Sequence, residues 1–285
     1  MDYVILFISV LMLALNFAVT KLYQKKCGAS PYPALRFNVF LGLFSSFIFF
    51  ALSGFKIEVT IFSAIMAPLL AALVVSYILI GFYIMEKETV AIYTIFLMTG
   101  GMIVPYIWGL LFLNETFSIL RTVGLIVIAC GVFVAHSSNS RISYKTVLLC
   151  ILVFLLNGFV SVVSKEHQIS SASIPTTHFM TLNSLAKTFL SALALVFVKK
   201  NQTSTVKLSW PLIAIIFAAA LFSGVSSMLQ LIGAKNLPAT VLYPIISGGA
   251  IIFTAFAGRI FFKEKITMRL ACGIILCFIG TLTFL

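Results

Sequence analysis

The feature of this sequence that most constrains its fold is a series of ten long apolar stretches. They cover residues 3–22, 33–52, 62–85, 90–113, 119–136, 144–164, 174–198, 210–232, 239–262 and 268–285. Each is close to the roughly 20 residues that an α-helix needs to cross the hydrocarbon core of a bilayer. The connections are short and polar, and they leave no segment for a separate soluble domain. The sequence therefore predicts an all-α membrane protein with ten transmembrane helices.

The composition agrees with this class and argues against others. Of the 285 residues, 61% are hydrophobic and only 9% are charged, which is more apolar surface than a soluble core buries. The first stretch lacks a basic leader and a small-residue cleavage site, so we predict a retained helix rather than a signal peptide. The cysteines have no CxxC spacing and most lie inside apolar stretches, which predicts buried hydrophobic side chains, no metal site and no cofactor.

The basic residues indicate how the chain is oriented. The formal net charge is +12, but lysines and arginines are scattered over the ends of the stretches, so we predict no nucleic-acid partner. The odd-numbered connections hold Lys21, Lys25, Lys26, Lys87, Arg141, Lys145, Lys199, Lys200, Lys207, Lys263, Lys265 and Arg269, whereas the even-numbered ones hold Lys56, Arg121, Lys165 and Lys235. This bias predicts a multi-pass protein of the cell (plasma) membrane with both termini outside.

The second half of the sequence repeats the first. When the segment from Ala239 is laid on the segment from Val90, five pairs coincide without a gap: Gly100 and Gly249, Gly109 and Gly258, Glu115 and Glu264, Gly124 and Gly273, Gly131 and Gly280. A weaker match places Asn16 on Asn157. We predict two five-helix repeats, residues 1–138 and 139–285, which are inverted because five is odd. Inverted repeats are typical of secondary transporters, whose binding site lies near the midplane between the halves.

The repeated glycines also predict a packing surface. Gly124 and Gly131, and likewise Gly273 and Gly280, are seven residues apart and therefore share one helix face. Small residues at such positions let two helix backbones approach closely. We expect the fifth and tenth helices to form a structural seam and to line no cavity.

A longer string carries a family resemblance. The segment LYPIISGGAIIFTAFAGRIFFKEKIT, followed by a glycine-spaced last helix, resembles the drug/metabolite transporter superfamily, and most closely its EamA-like ten-helix branch. It is also similar to the third and fourth helices of small multidrug resistance proteins, whose substrate-contacting tyrosine aligns with Tyr243. The resemblance implies transport of a small metabolite or drug, with no ATPase and no covalent chemistry, and hence no enzyme activity.

Two departures from these relatives matter. Small multidrug resistance proteins carry a membrane carboxylate eight residues before a lysine, whereas this sequence has Asn157 before Lys165, and Asn16 in the first copy. The EamA-like branch usually keeps both termini in the cytoplasm, which is the reverse of the orientation that the lysine and arginine bias predicts.

The acidic residues narrow the class of solute. All of them lie at stretch ends or in connections, at Asp2, Glu58, Glu86, Glu88, Glu115, Glu166 and Glu264. No carboxylate is therefore expected at the midplane to neutralise a cation or relay a proton, which disfavours proton–cation exchange. Arg36 and Arg259 lie within about a turn of a stretch end, where snorkelling to the interface explains them and a gating role is the alternative.

Lys187 is the exception among the charges. It lies about 20 Å along a helix from Ile174, so its side chain reaches neither interface. An unpaired ammonium in lipid costs at least about 2.5–3.5 kcal/mol. A polar stripe accompanies it, formed by Thr177, Thr181, Ser184, Thr188 and Ser191, with Asn183 beside it. Such a face should look onto a hydrated cavity or a partner helix.

Two interpretations of Lys187 stay open at this point. In one, the hydroxyl groups bond to their own helix carbonyls and Lys187 caps the backbone of a neighbouring helix. In the other, which we favour, Lys187 is a cavity charge that attracts an anionic group of the solute. A lysine suits this role as a point charge.

The fourth and ninth helices supply the other candidate contacts. Glycine pairs and a proline in each permit bending, and Tyr93, Trp108 and Tyr243 bring aromatic faces with a polar tip. Asn16 and Asn157 are predicted to be polar contacts near the centre. His178, close to a helix end, is either a titratable gate or an interfacial side chain.

The sequence therefore predicts a carrier that moves a small organic metabolite, anionic or zwitterionic, by alternating access through a central cavity. The alternatives are a flippase for a phosphate-bearing lipid or lipid-linked sugar, and a non-transporting membrane assembly subunit. The expected partners are a small-molecule substrate and the lipid bilayer, and the protein is a monomer or a homodimer.

Overall fold

The computed structural model describes residues 2–28, 30–87, 90–136, 143–198, 208–263 and 265–285. The ten helices in these ranges are α1 (Asp2–Cys27), α2 (Pro31–Leu52), α3 (Ile61–Lys87), α4 (Val90–Phe112), α5 (Ile119–His136), α6 (Tyr144–Ile169), α7 (Thr176–Phe197), α8 (Trp210–Asn236), α9 (Ala239–Phe262) and α10 (Met268–Leu282). The described residues contain no β-strand. The prediction of an all-α protein with ten helices is confirmed.

Eight of these helices are long and apolar enough to cross a membrane, and α5 and α10 are shorter apolar helices. Their starts follow ordinary helix chemistry. The hydroxyl of Ser143 accepts a hydrogen bond from the Thr146 backbone N–H at the start of α6, and Thr267 does the same for Leu270 at the start of α10. Prolines stand in the first turn of α2 and α8, where a missing N–H costs nothing.

The main difference from the predicted boundaries is at the end of α6. The sequence predicts that this stretch stops at residue 164, before four successive polar residues. The helix instead continues to Ile169 and includes Lys165, Glu166, His167 and Gln168. These four side chains find partners on neighbouring helices, which is why the helix does not end where its polarity begins.

The predicted seam between α5 and α10 is present. A Cβ added to Gly131 would lie 2.9 Å from the Gly273 carbonyl oxygen, and one added to Gly273 would lie 2.7 Å from the Gly131 carbonyl oxygen. Gly124 and Gly280 face each other in the same way. Any side chain at these positions would push the two backbones apart. On the outer side of the bundle, α4 and α5 line an open apolar groove of about 620 Å³. The expectation that α5 and α10 line no central cavity stays a prediction.

The helices of the two predicted repeats pair in equivalent ways. Helix α1 packs against α8 and α9, and the corresponding α6 packs against α3 and α4. The pairs α2 with α7, α4 with α9, and α5 with α10 join equivalent helices across the two halves. This is the pattern that two repeats related by a two-fold axis would produce. The inversion of the repeats and their boundaries stay predictions, and Glu264 of the repeat lies outside the described residues.

Four connections gather at one end of the bundle, which we call the distal end. They are α2–α3, α4–α5, α6–α7 and α8–α9, and contacts such as that between the Thr60 hydroxyl and the Ala172 carbonyl oxygen, at 2.8 Å, join them. The helix ends that the other connections join lie at the opposite end, which we call the proximal end. There the amines of Lys21 and Lys25 lie 5.1 and 4.4 Å from the ring centroid of Phe262 and join α1 to α9.

Candidate functional site

Lys187 lies in the middle of α7 on the side that faces the bundle. Leu185 and Phe189 are 46% and 68% exposed, so they mark the face of α7 that meets lipid. Lys187 is about 200° around the helix from each of them. Its side chain is half-buried, and within the described residues its ammonium has neither a hydrogen-bond partner nor a counter-ion. Lys187 therefore lies on the face of α7 that is turned away from the lipid and toward the other helices.

The polar stripe beside Lys187 packs on a partner helix. A Cβ added to Gly42 of α2 would collide with the Thr188 hydroxyl and lie 3.2 Å from the Ser184 carbonyl oxygen. The hydroxyls of Thr181 and Thr188 donate to the carbonyls of Thr177 and Ser184, both at 2.8 Å. Of the two surroundings predicted for the stripe, the partner helix is therefore the observed one. The Thr181 and Thr188 hydroxyls bond within α7, whereas the Ser191 hydroxyl is buried without a partner and the ammonium of Lys187 finds no backbone to cap within the described residues.

Two asparagines have a carbonyl oxygen without a partner. The Oδ1 atoms of Asn16 on α1 and of Asn183 on α7 are buried and accept no hydrogen bond within the described part of the chain. Asn183 is one turn before Lys187, so an unused acceptor and an unused donor lie on the same edge of α7. Unpaired buried polar groups are costly, and they recur at sites that bind a ligand.

Asn157 has a partner, in contrast to its predicted equivalent Asn16. Its amide Nδ2 donates to the Leu97 carbonyl oxygen of α4 at 2.7 Å. One turn later the Ser161 hydroxyl donates to the Gly101 carbonyl oxygen at 3.2 Å, and the Tyr243 hydroxyl of α9 donates to the Ser161 carbonyl oxygen at 2.5 Å. These contacts bring Asn157 and Tyr243 into one cluster that joins α4, α6 and α9.

The other predicted aromatic contacts are farther apart. Tyr93 packs its ring on Gly81 of α3, where a Cβ would lie 2.5 Å from a ring carbon. Trp108 donates its indole N–H to Glu166 at 2.6 Å and packs against Phe112 with ring centroids 4.2 Å apart. Neither shares a contact with Lys187 in the described residues.

The predicted gating residues lie at the two ends of the bundle. At the distal end, Nδ1 of His178 accepts a hydrogen bond from the Glu58 backbone N–H at 3.0 Å, which ties the α2–α3 connection to α7. At the proximal end, the Arg36 guanidinium donates to the Tyr23 hydroxyl at 3.4 Å. Arg259 is exposed near the end of α9. Their roles in gating stay predictions.

A polar cluster that was not predicted from the sequence lies at the distal end, at the end of α6. Lys165, Glu166, His167 and Gln168 each reach a different neighbour: respectively the α8–α9 turn, Trp108 of α4, the Ser63 hydroxyl of α3 at 2.9 Å, and Thr176 of α7 at 3.1 Å. His167 is fully buried and stacks on Phe179 with ring centroids 3.6 Å apart. Four successive polar residues at the end of an apolar stretch were the available signal.

Known proteins share features with this chain. Residues 144–285, which begin at the first residue of α6, match the EamA-like transporter family. A crystal structure of another protein superposes with a TM-score of 0.78 over 99% of this chain and 95% of that chain, at 14% sequence identity. At that identity the likeness shows the fold alone. No curated protein matches the sequence.

Proposed function

Because the chain belongs to the EamA-like transporter family, through the match of residues 144–285, we propose that it moves a small anionic or zwitterionic metabolite by alternating access. Membership of the family confirms the resemblance seen in the sequence. It makes the chain a multi-pass membrane transporter of small solutes rather than an enzyme. The charge of the solute and the mechanism are our proposals.

The observation that carries the proposed preference for an anion is the state of Lys187. A charge in the apolar part of a membrane protein needs a partner or water, and Lys187 has no protein partner among the described residues. It lies on the side of α7 opposite the exposed Leu185 and Phe189, and it is half-buried. An anionic group of the solute is the partner that this ammonium lacks.

The distribution of acids supports the same conclusion. Glu166 lies in the last turn of α6, and Glu58 and Glu115 lie in connections at the distal end. None of these carboxylates is placed to hold a cationic solute at the depth of Lys187. The amide oxygens of Asn16 and Asn183 add acceptors, which suit a solute that also carries O–H or N–H donors.

The pairing of the helices supports alternating access between the two halves. Helices α1 and α6 each pack against two helices of the opposite half, so a relative rotation of the halves changes contacts at both ends together. Rocking of one half against the other around a central site is the usual way in which repeats of this kind work.

Flux into proteoliposomes tests the proposed role of Lys187. Lys187→Gln should abolish transport of an anionic solute, because the amide keeps the size and polarity of the side chain but removes its charge. Lys187→Arg should keep measurable transport. Lys145→Gln is the matched control, since Lys145 is exposed near the start of α6. Transport by Lys187→Gln at the rate of the unmodified protein would remove the anion-binding role.

The solute class is found by a thermal-shift screen of the purified protein. The screen contains sugar phosphates, amino acids, organic acids and nucleotides, with short-chain lipid phosphates as a separate arm. We expect stabilisation by a soluble anion that Lys187→Gln removes. Stabilisation by lipid phosphates alone would favour a flippase, and a stabilising ligand without flux of that ligand would favour a non-transporting subunit.

A further inference from the structure

Lys165 has a buried position that the proposed solute site does not use. Its side chain is 6% exposed, in the last turn of α6 at the distal end. Its ammonium donates to the carbonyl oxygens of Ala234 at 2.7 Å and Leu237 at 2.6 Å. These carbonyls close α8, so a positive charge lies at the negative end of that helix dipole.

Glu115 holds the other side of the same turn. Its two carboxylate oxygens accept the backbone N–H groups of Ala239 at 2.6 Å and Thr240 at 2.8 Å, which are the first two residues of α9. A negative charge therefore lies at the positive end of the α9 dipole. The short turn between α8 and α9 therefore has two charged contacts. Lys165 of α6 binds its carbonyl groups, and Glu115 of the α4–α5 connection binds its N–H groups.

Contacts between the helix ends differ at the two ends of the bundle. Helix α6 packs against α8 at the distal end, where Lys165 joins them. The helices that correspond to this pair in the predicted first half are α1 and α3. Among the described residues, α1 and α3 form no comparable contact. The bundle is therefore closed at the distal end by the contact between α6 and α8, whereas α1 and α3 are apart at the proximal end.

We propose that Lys165 is the latch of the distal gate: its two hydrogen bonds to the α8–α9 turn hold that end closed, and they must break for the solute path to open there. This inference rests on the proposed function, because a gate has meaning only in a transporter. Lys165 is a positioning residue in this scheme and does not touch the solute. When the gate opens, its ammonium exchanges two carbonyls for water, and this hydration offsets part of the free energy that the two hydrogen bonds contribute to the closed state.

The test measures distances at both ends of the purified protein in a cysteine-free background. One pair of spin labels, at Ile169→Cys and Asn236→Cys, reports the distal end, and a second pair, at Lys26→Cys and Tyr83→Cys, reports the proximal end. All four positions are exposed. In Lys165→Gln we expect the distal distances to lengthen and the proximal distances to shorten, because rocking closes one end as it opens the other.

A second measurement uses a cysteine at position 240. Thr240 is 1% exposed under the closed distal end, so Thr240→Cys should react slowly with a charged thiol reagent. The same cysteine in the Lys165→Gln protein should react roughly tenfold faster, because a neutral amide does not replace the charge-assisted hydrogen bonds to the two carbonyls. Lys145→Gln, on the same helix and exposed, should leave both distances and the labelling rate unchanged.

The outcomes separate the latch from the proposed function. Unchanged distances and unchanged labelling in a folded Lys165→Gln protein would overturn the latch, whatever the flux. Broader distance distributions for both label pairs would also overturn the latch, because a general loss of stability produces that result. Opposite shifts at the two ends would support the latch even if the protein showed no flux, and that absence of flux would count against the proposed function alone.

Discussion

At the scale of single residues, two lysines in apolar helices face the same energetic problem in different ways. Lys165 is buried and satisfied by two backbone carbonyls. Lys187 is half-buried and has no partner within the described residues. A buried ammonium that is already satisfied has little to offer a solute, whereas an unsatisfied one does. This contrast is why we assign the anion to Lys187 and the gate to Lys165.

The two equivalent asparagines give a prediction at this scale. Asn157→Ala removes the hydrogen bond to the Leu97 carbonyl, and we expect it to lower the free energy of unfolding by about 1 kcal/mol. Asn16→Ala removes an amide oxygen that has no partner, so stability should be unchanged or slightly higher. Thermal unfolding in detergent measures both.

Flux of the same two variants completes the experiment. If Asn16 contacts the solute, Asn16→Ala raises the KM at unchanged stability. A loss of stability in Asn16→Ala equal to that of Asn157→Ala would show that both asparagines are packing residues.

The sequence predicted that Lys187 lies near the middle of a helix, and it is the twelfth of the 22 residues of α7. Such a position follows from counting residues along one apolar stretch. The sequence did not predict the partners of Asn157 or Lys165. Those partners lie on α4 and at the α8–α9 turn, and which helices meet is a property of the bundle rather than of any one stretch. The cluster at the end of α6 was missed for the same reason, since its polarity looked like the end of a helix.

At the scale of helices, the seam between α5 and α10 depends on glycine. Gly273→Val would bring a Cβ to within 2.7 Å of the Gly131 carbonyl oxygen. We expect this overpacking to cost about 1–3 kcal/mol. Cys272→Val is the matched control, because Cys272 is the neighbouring residue and is exposed. Equal melting temperatures of the two variants would mean that the seam tolerates separation of the helices.

The start of α9 gives a second prediction for a helix. Glu115→Gln removes the negative charge and one acceptor from two backbone N–H groups, so we expect it to lower stability by about 1 kcal/mol, with the larger loss at low ionic strength. Glu58→Gln, in an exposed connection at the same end, should have no effect. Urea or thermal unfolding at two salt concentrations compares them, and identical curves for both variants would exclude a capping role of Glu115.

Helix number and helix centres were predictable because a membrane imposes a minimum apolar length. The ends of the helices were less predictable from the sequence. Helix α6 runs five residues past its predicted end, and α1 and α8 also continue beyond theirs. Hydropathy marks where a stretch leaves the lipid, whereas a helix continues as long as its polar side chains have partners.

For the molecule as a whole, the closed distal end and the lysine and arginine bias together predict from which side of the membrane a solute enters. The helix ends that the odd-numbered connections join lie at the proximal end, and those connections are predicted to be cytoplasmic. With that orientation, the structure is closed to the outside by Lys165 and Glu115, and a solute would reach Lys187 from the cytoplasm. The reverse orientation is usual in the EamA-like family. With that orientation, the same latch would close the path to the cytoplasm.

Reporter fusions decide between these orientations. A reporter that is active only in the cytoplasm should give no signal when fused to Leu285 if the lysine and arginine bias determines topology. The same reporter fused after Phe197, at the start of the α7–α8 connection, should give a signal, which controls for expression and reporter activity. The opposite pair of results would place the distal end in the cytoplasm. Lys165→Gln would then open the path to the cytoplasm, and solute would enter the unmodified closed state from outside. The fusions therefore determine which face of the membrane the latch controls, while its chemistry at the α8–α9 turn is the same in both cases.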